Sequence, residues 1–193
     1  VNETKKRSTI AADDHASVFA AAPPYEGLKL LCAIWMTPEL SADLDFVMVF
    51  IDISQAHPHV DIQRDVWIQL PPEDPRSHEE GICGKLRKNH YGTWDASQAF
   101  EHKVAKDMKA LGFEQGVFSP CLYWCPTRRL RAFVHGDNFV VLGHRQDLNR
   151  FAADLGKAML VNIEGVLGTD SSTGDVQELL CLNRILRWCP AEV

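Results

Sequence analysis

Hydrophobic and polar positions along the chain follow two periods, one helical and one alternating. After Pro23-Pro24, the apolar residues Leu28, Leu31, Ile34 and Trp35 fall at helical spacing, which predicts a helix from about Tyr25 to Met36. Phe46 to Ser54 is a near-continuous apolar run of the kind buried on both faces, and Pro58 interrupts it because proline donates no ladder hydrogen bond. The strand is therefore expected to end just after Asp52. A short strand from Asp65 to Leu70 runs into Pro71-Pro72 and a charged loop over 73–80. Phe100, Val104, Met108 and Leu111 form one apolar stripe on a helix that starts near Trp94-Asp95 and stops at Gly112.

Cys121 to Trp124 and Leu130 to His135 read as strands, and Gly136-Asp137-Asn138 is a turn tripeptide leading into Phe139 to Leu142. This makes a hairpin with an aspartate at its tip. Leu148, Phe151, Ala152, Leu155 and Met159 define a further amphipathic helix, and Glu178 to Trp188 alternates as a last strand. The order strand, helix, hairpin, helix, strand predicts an α+β fold, a split βαβ antiparallel sheet covered by helices on one face. In such a sheet Asp52 and Asp137 lie side by side.

With 193 residues, 46% hydrophobic and 24% charged, the chain suits one cored domain rather than a disordered or fibrous class. The apolar runs, Phe46 to Ile51 among them, are far too short to cross a bilayer, and the polar start has no signal-peptide core. An intracellular protein without a membrane partner is expected. A first residue Val in a polar stretch suggests a piece of a longer product. Cys32, Cys83, Cys121, Cys125, Cys181 and Cys189 lack paired metal-ligand spacing and read as reduced core cysteines. His57, His59 and Asp61 alternate as a minor candidate metal site, with Pro58 in its middle.

The net charge of −6 argues against wrapping nucleic acid by bulk electrostatics. Locally the balance reverses: Lys85, Arg87, Lys88, Lys103, Lys106 and Lys109 outnumber Asp95, Glu101 and Asp107 between positions 85 and 109. An aspartate within a β-run is costly unless neutralised, and metal coordination is one way to neutralise it. Two rigidly held aspartates are the minimum protein contribution to a two-metal nucleotidyl transfer, in which one ion activates a hydroxyl and the other neutralises phosphate charge.

Several blocks carry a resemblance to a known family. Asp52-Ile53-Ser54-Gln55-Ala56 through Trp67-Ile68-Gln69-Leu70-Pro71-Pro72 is similar to the first catalytic block of copia-type retrotransposon reverse transcriptases, D-V-x-x-A-[FY] followed by Y-x-x-x-P-P. Gly84-Lys85-Leu86-Arg87-Lys88-Asn89-His90-Tyr91-Gly92, with Ala96 and Phe100, resembles K-L-x-K-S-L-Y-G-L-K-Q-A-P-x-x-W. Leu111-Gly112-Phe113 and Ser119-Pro120-Cys121-Leu122-Tyr123 resemble L-G-F and D-P-C-L-F, and His135-Gly136-Asp137-Asn138 stands at Y-V-D-D. Phe19 to Pro24 resembles an F-A-P segment ahead of the palm.

This resemblance implies an RNA-directed DNA polymerase, a nucleotidyltransferase palm over 46–189 after a partly flexible lead-in over 1–45 left from the fingers region. It implies two Mg²⁺ ions, with Mn²⁺ as an alternative, an RNA or DNA template with primer, and deoxynucleoside triphosphates. The remainder of a retrotransposon polyprotein, with integrase and ribonuclease H, would be the partner. Asp52, Asp137 and Asn138 take the catalytic positions, with Asp52, Asp137 and the carbonyl of Ile53 on the metals. His57, Tyr91, Gly92, Lys85 and Lys88 would face nucleotide or template. Asn138 replaces the family's second turn aspartate and brings no charge, and His57 replaces an aromatic residue under the sugar, so a degenerate, inactive copy is implied. The alternative is a non-catalytic nucleic-acid-binding module on the same palm or ferredoxin-like fold.

Overall fold

The computed structural model describes residues 23–189. Phe19 to Ala22 of the segment ahead of the palm, and the first part of the lead-in, lie outside the described residues. In chain order the elements are α1 (Glu26–Trp35), α2 (Pro38–Ser41), β1 (Phe46–Ile53), β2 (Trp67–Ile68), β3 (Gly84–Lys85), α3 (Ala96–Ala110), β4 (Glu114–Gln115), β5 (Leu122–Cys125), β6 (Leu130–His135), β7 (Asn138–His144), α4 (Arg145–Leu155), β8 (Val161–Leu167), β9 (Glu178–Cys181) and β10 (Arg184–Arg187). Contacts separate two units, one of residues 55–103 and one of the described residues up to 54 and from 104 onward.

The second of these holds a six-stranded sheet in the order β4, β5, β6, β7, β1, β8, with every neighbouring pair antiparallel. β1 is an interior strand, and its sequence shows why. Phe46, Met48 and Phe50 share a buried cluster with Phe133, Val140, Leu142 and the α1 residues Leu28, Leu31 and Trp35. Val47, Val49, Ile51 and Ile53 alternate onto the other face and are no more than 4% exposed. There α4 packs along β7 and β1, burying Leu148, Phe151 and Leu155.

Helices thus cover both faces, which corrects the expected one-sided cover. A strand apolar at odd and even positions alike needs a partner layer on each side. A second correction concerns the last strand of the sheet, which is β8; Glu178 to Trp188 forms a separate hairpin, β9 with β10. Leu182 and Asn183, both at positive φ (49° and 61°), turn that hairpin without any glycine to announce it. α1, β1, β5, β6, β7 and α4 otherwise follow the hydrophobic periods, the expected strand from Asp65 to Leu70 is strand only at Trp67–Ile68, and α3 ends where Gly112 takes φ 88° and Phe113 N–H reaches back to the Met108 carbonyl.

Three contacts seat α1 firmly. Trp35 Nε1 donates to the Phe46 carbonyl at 2.9 Å, Tyr25 Oη donates to the Leu182 carbonyl at 2.7 Å, and the Trp35 ring meets that of Trp188 at 4.5 Å. Gly27 lets the helix approach the sheet, because a Cβ there would come within 2.6 Å of the Phe133 ring, which is fully buried. Gly27→Ala is therefore expected to destabilise the fold by about 1–3 kcal/mol through overpacking, read as a lower urea midpoint at unchanged slope.

In residues 55–103, β2 pairs with β3, and the Ile62 and Asn89 N–H groups bond to the Arg87 and Val60 carbonyls. Arg64 forks onto Asp95 at 3.1 and 3.0 Å and lies over the Trp94 ring. Among the described residues no helix is long and apolar enough to cross a membrane. Cys125 and Cys181 are buried, whereas Cys83 and Cys189 are exposed, so the reading of all six as core residues holds for only part of the set.

Candidate active site

The pairing of β1 with β7 ends at an aspartate, Asp52, one residue before the strand itself ends at Ile53. The last β1–β7 pair is Asp52 with Asn138, and the β6–β7 pair that closes the hairpin is His135 with Asn138. Between them Gly136 and Asp137 make a two-residue turn with positive φ (62°) at Gly136 alone, the pattern in which glycine is favoured at the first turn position. β7 therefore starts at Asn138 itself, one residue earlier than the hydrophobic pattern implies.

The strand end and the hairpin tip are joined through the main chain. Ile53 N–H donates to the Asp137 carbonyl at 2.9 Å, and Ser54 N–H donates to the Leu160 carbonyl at 2.9 Å. Such bonds fix the backbone beneath Asp52 and Asp137 whatever their side chains do. Immediately beyond, Gln55 takes φ 55°, a left-handed conformation uncommon for a residue with a side chain and enriched where structure serves a site.

The electrostatics agree with close approach. Asp52, half-buried, has its carboxyl held above the usual carboxylate range, first by desolvation and then by the negative charge of Asp137. Asn138 Nδ2 donates to Asp137 Oδ1 at 2.9 Å, so the residue in the second carboxylate position acts as a neutral partner to the first. Among the described residues no three His, Cys, Asp or Glu side chains come together as a metal site. What the arrangement offers is two carboxylates and a carboxamide, hard oxygen donors that suit Mg²⁺ or Mn²⁺ when phosphate oxygens complete the shell. A dication between the two acids would remove the repulsion that raises Asp52.

The other expected residues belong to the unit of residues 55–103. His57 opens a single 3₁₀ turn over His57–His59, its ring set edge-on to Tyr91 at 4.4 Å and near Phe100 at 6.4 Å. This overturns the alternating histidine site, since residues in one tight turn do not share a strand face. Tyr91 is half exposed and Gly92 takes φ 89°. Lys85 and Lys88 are exposed and paired with Asp65 and Asp61, and Lys85 also lies over the Trp67 ring at 5.6 Å. Exposed pairs of this kind contribute about 0–1 kcal/mol, so both lysines could exchange a carboxylate for a phosphate at little cost.

One neighbour of the acids, Asn162, belongs to none of the motifs that the sequence offers. Lateral pairing puts His135, Asn138, Asp52 and Asn162 in one row across β6, β7, β1 and β8. Asn162 carries no local signal, because only the register of β8 brings it opposite Asp52.

A carboxylate at the end of an interior strand, with another on the adjoining hairpin turn, defines a mixed α/β domain with a two-carboxylate site at one end of an antiparallel sheet. The chain belongs to the reverse transcriptase (RNA-dependent DNA polymerase) family, whose profile matches residues 4–163. Members are nucleotidyltransferases that use divalent metal ions, generally Mg²⁺, with a nucleic-acid template, a primer and deoxynucleoside triphosphates. No curated protein matches the chain.

Proposed function

We propose that this chain is the palm of an intracellular copia-type RNA-directed DNA polymerase, part of a retrotransposon polyprotein with integrase and ribonuclease H, whose two-metal site is attenuated at Asn138. The observation that carries the reading is the main-chain bond from Ile53 N–H to the Asp137 carbonyl, beside an Asp52 carboxyl raised first by desolvation and then by the Asp137 charge. The strand order β6, β7, β1, β8, with α3 ahead of β6 and α4 between β7 and β8, supports it as well, being the order that two split βαβ units produce.

In this reading Asp52 and Asp137 hold the divalent cations through carboxylate oxygens, and Asn138 offers a neutral carbonyl oxygen where a third charge would strengthen the site. The bound ions would supply activation of a primer hydroxyl and neutralisation of triphosphate charge. The chain's own residues hold the two acids on a rigid sheet end, and His57 with Tyr91 forms an aromatic surface suited to a sugar and base. Lys85 and Lys88 give phosphate contacts.

Mn²⁺ binding in the presence of primed RNA template and deoxynucleoside triphosphate, read by the electron paramagnetic resonance of free Mn²⁺, tests this. Asp137→Asn is expected to weaken binding and Asn138→Asp to tighten it at least about tenfold, since one added unit charge near a dication is worth that much even in high dielectric. Primer extension should be slight for the native sequence and rise with Asn138→Asp. Efficient extension by the native sequence would overturn the attenuation. Mn²⁺ binding indifferent to both substitutions, alongside salt-sensitive nucleic-acid binding, would instead favour the non-catalytic module.

A further inference from the structure

We infer that Asn162 on β8 is a further oxygen donor of the cation site, flanking Asp52 on the side opposite Asn138. The inference rests on the reading of Asp52 and Asp137 as cation ligands, and adds a residue that no family motif quoted above contains. Its first support is the register: Asp52 pairs with Asn138 on one side and with Asn162 on the other. Residues directly opposed in antiparallel strands share a face, with Cβ atoms about 4.5–5.5 Å apart.

The second support is an irregularity. Along β1 and β8, Phe50 pairs with Gly165 but Ile51 pairs with Ile163, so Glu164 is an extra residue and the register shifts there. Without this bulge Ile163 would stand opposite Asp52, and Asn162 opposite Ile53. A one-residue shift exchanges the faces of everything after it, and bulges beside functional sites commonly re-aim a side chain in this way. Here the shift sets Ile163 with Ile51 and brings a carboxamide to the carboxylate.

The donor count points the same way. Among the described residues only two acids meet at this sheet end, so further protein oxygens must be neutral ones. Asn138 already commits its amide N–H to Asp137. Asn162 is exposed, so its side chain serves no packing role that would explain the bulge, and an ion arriving from solvent can reach it.

The test uses the same Mn²⁺ titration on the full chain with Asn162→Ala, Asn162→Asp, Asp52→Asn and, as a bulge control, Glu164→Gln. Asn162→Ala is expected to weaken Mn²⁺ binding severalfold and Asn162→Asp to tighten it about tenfold, with Glu164→Gln near the native affinity. Thermal melts check that each variant folds, which an exposed edge position should permit. If both Asn162 variants bind as the native chain does while Asp52→Asn loses binding, the inference falls and the cation reading stands. If Asp52→Asn also binds normally, the cation reading itself falls. If Glu164→Gln matches Asn162→Ala, the effect belongs to the edge strand in general and the assignment to Asn162 is overturned.

Discussion

Asp52→Asn is expected to make the fold more stable at neutral pH while removing its response to divalent cations. Both effects follow from one carboxyl whose pKa is raised, by desolvation first and by Asp137 second. A raised carboxyl pKa means that the folded chain binds the proton more tightly than the unfolded chain. The stabilisation is then fully present below the ordinary carboxylate range and is lost as pH rises through the folded value. At pH 7 the ionised pair is a cost, and the asparagine variant escapes it. The melting temperature of the native chain minus that of the variant should become more negative from acid to neutral pH, whatever the other carboxylates contribute to both. Added Mn²⁺ should restore the native chain alone, because only it keeps both charges. An asparagine variant that melts below the native chain at pH 7 would sink this account.

The second large effect lies in a buried pair at the start of α4. Asp175 has a side chain only 1% exposed and receives Arg145 in a fork at 2.8 and 2.9 Å, with Thr173 Oγ1 at 3.1 Å and the Asp170 N–H at 3.3 Å. Removing one partner of such a pair leaves an uncompensated charge and typically costs about 3–5 kcal/mol. Arg145 remains 20% exposed and has Asp45 at 3.8 Å, so Asp175→Ala is expected to cost somewhat less than that range, about 2–3 kcal/mol. Urea unfolding reads it directly. Asp175→Asn should recover part of the loss by keeping an acceptor for Thr173 and the Asp170 N–H. Equal midpoints for native and Ala chains would show that the pair contributes nothing.

How far the chain could be read in advance depended on how local each signal was. β1, α1, α3 and β6 were legible because their apolar residues repeat within one short segment. β8 was not. Val161, Ile163, Val166 and Leu167 alternate imperfectly around the bulge at Glu164, and Asn162 to Glu164 are exposed at a sheet edge, so burial imposes little pattern. The tail reads as one strand in sequence because Leu182-Asn183 turns without glycine. The helices' two-sided placement was hidden for another reason: α1 is recognisably amphipathic, but nothing local states which face of the sheet it will meet. At the site, Asp52 and Asp137 stood out as acids in apolar surroundings, whereas Asn162 depends on pairing between distant segments. The catalytic family motif supplied what local pattern lacked for Asn138 and Tyr91, and could not supply Asn162.

The central place of β1 has a consequence during synthesis. Its neighbours β7 and β8 come after residue 137, so the run Phe46 to Ile51 leaves the ribosome long before it has a partner. An unpaired apolar segment of that length with strong strand preference is an aggregation hazard, and late-arriving partners prolong it. Asp43 and Asp45 precede the run and Asp52 closes it, in the positions where charged gatekeepers oppose intermolecular stacking. Asp52 then guards the nascent chain before the sheet around it has formed, and substitutions that relieve the folded protein of its charge would remove that protection on the way there.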